Sequence, residues 1–143
     1  MEQLVEFVGN HPLLFFSFVG VLSLLVWNIV GDSIQGINNI LPSGATLKIN
    51  HDDAIVLDVR EDNEFVEGHI LDAMHIPLGA LSAKIKNLEK YRQQPIIVSC
   101  RSGNRSSHAC RILKKNEFEQ VFNLKGGVIA WETAGLPLTK GRK

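Results

Sequence analysis

The amino-acid sequence predicts an α/β protein: a parallel β-sheet with helices on both faces, preceded by one N-terminal transmembrane helix. Three observations predict it. Short, apolar, β-branched runs recur at 54–59, 95–99 and 120–124. Segments with helical spacing or helix-end residues separate them. Residues 7–31 contain no Asp, Glu, Lys or Arg. Strands that are apolar along their whole length are buried on both faces, and that is the condition of a parallel sheet.

The uncharged stretch comes first. From Pro12 to Val30 the chain reads PLLFFSFVGVLSLLVWNIV. About nineteen residues of helix cover about 28 Å, close to the hydrocarbon thickness of a bilayer. Trp27 suits the interface, and Pro12 suits the first helical turn, where its missing N–H costs nothing. A cleaved signal peptide fits less well, since no basic n-region and no A-x-A-like site flank the run. A core helix is rarely apolar all round in so small a domain. All 15 Lys and Arg lie at or after Lys48. The positive-inside rule therefore places the body of the protein in the cytoplasm, as a single-pass membrane protein. The expected organisation is an anchor over 1–31, a Gly-, Asn- and Ser-rich linker over 32–42, and an α/β domain over 43–143.

Within that domain Ser43 is placed to cap a helix that ends before Asn50. Residues 54–59 form a buried strand. Residues 61–67 form a short polar helix ended by Gly68. His75, Ile76 and Pro77 are extended. Leu78, Leu81, Ile85 and Leu88 fall on one face of a helix over 78–91. Residues 95–99 form a second strand and 105–116 a helix closed by Lys114 and Lys115, which suit its dipole. Residues 120–124 form a third strand. Gly126 and Gly127 turn the chain into a last helix over 128–134.

The chain has 143 residues, 45% of them apolar, with 15 basic and 15 acidic side chains. That excludes a disordered chain and speaks against a nucleic-acid binder, which needs a basic excess. Two cysteines without C-x-x-C spacing give neither a disulfide framework nor a zinc site. No metal or other cofactor is expected.

Ligands bind beyond the carboxyl ends of strands in such sheets. The strand at 95–99 runs directly into Cys100-Arg101-Ser102-Gly103-Asn104-Arg105-Ser106 and then into a helix. A cysteine there faces unpaired N–H groups of the loop and of the first helical turn, with Arg101 and Arg105 nearby. Each effect lowers a thiol pKa from about 8.5, and the thiolate is the nucleophile. Gly103 is free to take the positive φ that a closed cradle requires, and Asn104 tolerates it. The residues thus point to an activated cysteine in an anion-binding loop.

This loop resembles the active-site loop of the single-domain rhodanese (thiosulfate sulfurtransferase) family. Three further segments share the resemblance. They are Ile55-Val-Leu-Asp-Val-Arg60, then Glu64-Phe65 with Gly68-His69-Ile70, Ala73 and Ile76-Pro77-Leu78, and lastly Leu124-Lys-Gly-Gly127 with Trp131. The match covers about 43–138. One departure is Leu71-Asp72 where the family usually has Pro-Gly. The resemblance implies a rhodanese-like fold and a sulfurtransferase. In that reading Cys100 takes the outer sulfur of a small anionic donor such as thiosulfate. It then passes that sulfur, as a persulfide, to cyanide, a small thiol or a protein thiol. Arg101, Ser102, Gly103, Asn104, Arg105 and Ser106 would hold the anionic groups. A cysteine phosphatase would need a loop one residue longer. Two alternatives use the same cradle or fold: a non-catalytic interaction module, and a persulfide carrier serving a membrane partner.

Other residues are read conservatively. Asp58 and Arg60 form an ion pair or loop brace, with a supporting role at the site as the alternative. Cys110 is a core cysteine or a resolving thiol. His69 and His75 make structural hydrogen bonds, and His108 lies on a helix surface. Lys114, Lys115 and the basic C-terminus are solvated. The expected membrane contact is through residues 12–30.

Overall fold

A computed structural model of the chain describes residues 10–34 and 36–141, and side chains within these apart from 28–34. The described chain divides into two compact units, Met1–Gly36 and Ile37–Lys143.

Over the described residues of the first unit runs helix α1 (Pro12–Ile34). Most of its apolar side chains between Leu13 and Trp27 are exposed; Leu13 is 82% accessible, Phe16 70% and Trp27 75%. The transmembrane helix expected over 12–30 falls on α1, and its crossing of a membrane is not shown. Among the described residues no helix is long and apolar enough to cross a membrane. Asn28, Ile29 and Val30, the rest of the expected span, lie outside the described side chains. Residues 1–9 of the expected anchor lie outside the described residues.

The second unit is a five-stranded sheet in the order β1-β5-β4-β2-β3, with every pairing parallel. Its elements are β1 (Asn38–Ile40), α2 (Pro42–His51), β2 (Ile55–Asp58), α3 (Asp62–Glu67), β3 (Met74–His75) and α4 (Leu78–Lys84). A 3-10 segment (Ile85–Tyr91) follows, then β4 (Ile96–Ser99), α5 (Asn104–Lys115), β5 (Val121–Leu124) and α6 (Gly127–Thr133). Successive side chains of a strand point to opposite faces. Leu57, Ile96 and Val98 therefore pack on one side with Leu81, Ala109, Cys110 and Leu113. Val56 and Ile97 pack on the other with Ala45, Ile70, Leu124 and Trp131. Both faces are buried, and this is why the strands read as continuous apolar runs.

Three local expectations change. Asn38–Ile40, read as linker, form edge strand β1, paired with β5 through Asn38↔Phe122, Asn39↔Asn123 and Ile40↔Leu124. A strand this short and polar has no apolar signal of its own and exists through its pairing. Ser43 is not the cap of α2; the cap position is Leu41, with Pro42 as the first helical residue. The helix expected over 78–91 tightens after Lys84 into a 3-10 turn. Ile85, Leu88 and Tyr91 all pack on the first core cluster, and their spacing of three matches the 3-10 period. Asp72, at the departure noted above, has φ +58°. Asp visits this left-handed region more readily than most residues, so the turn survives without glycine.

Chain direction places the site. After β4 the chain leaves on the α5 face; after β5 it leaves on the α6 face. The crevice between two neighbouring strands whose helices part in this way is the ligand position of an open parallel sheet.

Candidate functional site

Cys100 is the first residue after β4, 1% exposed, with α5 starting four residues later. Gly103 closes the loop with φ +104° and is the N-terminal cap position of α5. Its backbone N–H donates to Cys100 Sγ at 3.1 Å. Ser106 Oγ lies 3.3 Å from the same sulfur. Burial alone pushes the Cys100 thiol up. Hydrogen bonds from the Ser106 hydroxyl and from the N–H groups of Ser106, Gly103 and Ser102 outweigh it, and the pKa falls below the ordinary thiol range.

The loop rests on the turn after β5. Val128 N–H donates to Cys100 O at 2.8 Å and Ile129 N–H to Arg101 O at 3.2 Å. Gly127 makes this approach possible. It has φ +58°, and a Cβ there would overlap Cys100 O and lie 2.6 Å from the Arg101 carbonyl carbon.

The two loop arginines differ. Arg101 is exposed. Arg105 Nη1 and Nη2 donate to Glu64 Oε2 and Oε1 at 2.7 and 2.8 Å. This bidentate bond from the Arg105 guanidinium holds the Glu64 carboxyl down at about 2, and it raises Arg105 in turn. Arg105 reaches Cys100 through its charge, with its donors turned to Glu64. Ser102 and Asn104 are exposed beside the loop.

Asp58 and Arg60 form a buried ion pair at the end of β2. Arg60 Nη2 donates to Asp58 Oδ2 and to Gly68 O, each at 2.7 Å. Asp58 is in register with Ser99, the residue before Cys100. The pair braces the loop that carries α3, and thereby Glu64. The Phe65 ring is stacked between His69 and His75 at 3.7 and 4.3 Å. His69 Nδ1–H donates to Phe65 O and His75 Nε2–H to Arg60 O, both at 2.9 Å. His108 is exposed on α5.

Cys110, one helical turn beyond Ser106, is fully buried in the core. Burial pushes its thiol up to about 12. Among the described residues no three His, Cys, Asp or Glu side chains gather to hold a metal ion.

A cleft of about 290 Å³ opens beside the loop, lined in part by Arg60, Glu64, Glu67, Arg101, Ile129 and Glu132. Arg60 and Glu64 are committed to their partners. The charged groups left facing the cleft are Arg101, Glu67 and Glu132.

Two residues were not found by sequence reasoning. Glu64 was part of a motif, but nothing in the chain tied it to Arg105. Asn123 gave no signal at all. It accepts at Oδ1 from Ser106 Oγ at 2.6 Å, and its Nδ2 donates to Asn39 Oδ1 at 2.9 Å.

Comparisons with known proteins agree with this geometry. A family profile described as a rhodanese-like domain matches residues 43–134. The chain is 32% identical over 143 residues to the protein YibN of Escherichia coli (strain K12), covering 99% of this chain and 100% of that one. It is 36% identical over 87 residues to a sulfurtransferase of Allochromatium vinosum, 61% of this chain and 79% of that one. The crystal structure of a rhodanese-related protein from Thermoplasma volcanium superposes with a TM-score of 0.64 at 32% identity, over 71% of this chain and 97% of that one.

Proposed function

The chain belongs to the rhodanese-like domain family, and from that premise we propose that it moves a sulfane sulfur from a donor to a thiophilic acceptor through a persulfide on Cys100. The observation that carries this reading is the convergence of Gly103 N–H and Ser106 Oγ on a sulfur with a lowered pKa. The Cys100 thiolate attacks the outer sulfur of thiosulfate. A bond forms from Sγ to that sulfur, the S–S bond of the donor breaks, and sulfite leaves with the electron pair. The persulfide anion rests against the loop N–H groups of Ser102, Gly103 and Ser106, which stabilise negative charge without rearranging. Cyanide or a thiolate then attacks the outer sulfur, and Cys100 leaves as thiolate. Arg101 is the loop residue free to meet an anionic donor.

The test is thiosulfate:cyanide sulfurtransfer by the full chain, with Cys100→Ser beside it. Turnover that depends on Cys100 supports the reading. Equal turnover by Cys100→Ser overturns it. A second reading, a persulfide carrier for a protein partner, is favoured by the charge of the cleft, where two carboxylates face one arginine. It predicts slow thiosulfate turnover by a protein that nevertheless carries one added sulfur, about 32 Da, on Cys100.

We also propose that α1 attaches the protein to a membrane with the catalytic domain on the cytoplasmic side. The exposed Leu13, Phe16 and Trp27 support attachment. Recovery of the full chain in the soluble fraction of lysed cells refutes it.

A further inference from the structure

A buried hydroxyl with one proton stands between two acceptors. Ser106 Oγ is 2.6 Å from Asn123 Oδ1 and 3.3 Å from Cys100 Sγ. Asn123 is buried, and its Nδ2 donates to Asn39 Oδ1 at 2.9 Å. Asn39 and Asn123 are register partners on β1 and β5. Asn39 is exposed at the sheet edge. A continuous polar chain thus runs from the enclosed sulfur to the surface: Cys100, Ser106, Asn123, Asn39.

The donors in that chain have a direction. With Cys100 as a thiol, the S–H donates to Ser106 Oγ, Ser106 to Asn123 Oδ1, and Asn123 Nδ2 to Asn39. Every group is satisfied. When the thiol proton leaves to a solvent base, the sulfur becomes an acceptor and draws the Ser106 proton. Ser106 Oγ then has only lone pairs to offer Asn123 Oδ1. Two acceptors in contact inside a protein cost what an unmade buried hydrogen bond costs. A half-turn of the Asn123 carboxamide removes the conflict: Nδ2 donates to Ser106, and Oδ1 faces Asn39. Asn39 answers by turning its own amide, which it is free to do at the surface.

We propose that Asn123 and Asn39 are positioning residues for the Cys100 nucleophile, a pair of carboxamides that reverse their hydrogen bonds when the sulfur ionises. This rests on Cys100 being the reacting thiolate. Two acceptor-only replacements follow from it. Asp at 123 holds the Ser106 proton away from sulfur. Asp at 39 holds Asn123 in its outward orientation.

Several other charged or titratable groups surround Cys100. Arg105 with Glu64 lies at α5 and α3, and Arg101 is in the loop. The Asp58–Arg60 pair is at the neighbouring strand end, and the Cys110 thiol is on α5. None of them changes in these variants.

The experiment is the pH dependence of Cys100 alkylation by iodoacetamide in the full chain, followed by mass spectrometry. It needs no sulfur donor, so failure of sulfur transfer and failure of this inference are distinguishable. Asn123→Asp is expected to raise the midpoint by about one pH unit, a tenfold loss of thiolate below it. Asn39→Asp is expected to raise it less, and to do so still at ~1 M salt, where the through-space effect of an exposed charge is screened. Asn39 is exposed, so that variant tests the inference even where Asn123→Asp does not fold. An Asn39→Asp midpoint equal to the native one at high salt overturns it, as does an unshifted midpoint in folded Asn123→Asp.

Discussion

Arg105 and Glu64 face each other fork to fork, at 2.7 and 2.8 Å, across the outer side of the Cys100 loop. Glu64 sits in the first turn of α3, where its side chain also accepts the Glu61 N–H at 3.2 Å in a capping box. One carboxylate thus caps a helix and fixes the direction of an active-loop guanidinium. The arginine is kept beside the sulfur and prevented from collapsing onto it.

Replacing Glu64 by Gln leaves the shape and removes the charge. The guanidinium field at Cys100 is then no longer offset, so alkylation of Cys100 extends to lower pH than in the native protein. Stability falls by about 1 kcal/mol, the usual scale of a partly exposed bidentate pair. Because the folded pKa of Glu64 lies near 2, below its usual 4.5, the pair's contribution is present above about pH 4.5. It is lost as pH falls toward 2. Acid unfolding of Glu64→Gln compared with the native chain shows that window; identical acid limbs contradict it.

Cys110 is predicted to be inert. A thiol held near 12 by burial has almost no thiolate at neutral pH. Cys110→Ala keeps sulfur transfer within about twofold and costs roughly 1 kcal/mol through the lost packing. Loss of turnover in a folded Cys110→Ala protein assigns this thiol a chemical role.

Gly127 is predicted to be irreplaceable, and Gly135 is the control. Both have positive φ, +58° and +75°. A Cβ at 127 would overlap Cys100 O, whereas nothing lies within 4 Å of one at 135. Gly135→Ala bears only the conformational term, about 1 kcal/mol. Gly127→Ala also pushes the Cys100 loop away, and it is expected to cost more than 3 kcal/mol or to abolish folding. Equal thermal stability of the two variants refutes the packing argument.

The cleft charges are predicted to act against an anionic donor. Glu67→Gln combined with Glu132→Gln leaves Arg101 unopposed. The KM for thiosulfate falls several-fold at low salt, and the advantage shrinks as ionic strength rises. An unchanged KM at low salt places the donor elsewhere than this cleft.

The sequence by itself determined whatever is local along the chain. Apolar strands imply a sheet buried on both faces, because the pattern of each strand reports its own burial. The Cys100 loop is legible because seven consecutive residues, Cys100 to Ser106, running from a strand end into the first turn of a helix, make the cradle. Gly103 takes the positive φ its position demands. Only the tertiary structure decided what depends on distant partners. Glu64 and Arg105 are 41 residues apart and Asn39 and Asn123 are 84. Strand β1 exists because β5 lies beside it, and Gly127 is needed because the Cys100 carbonyl arrives there. A side chain's identity shows which bonds it is able to make. Which of them it does make is set by the topology that brings its partner within 3 Å.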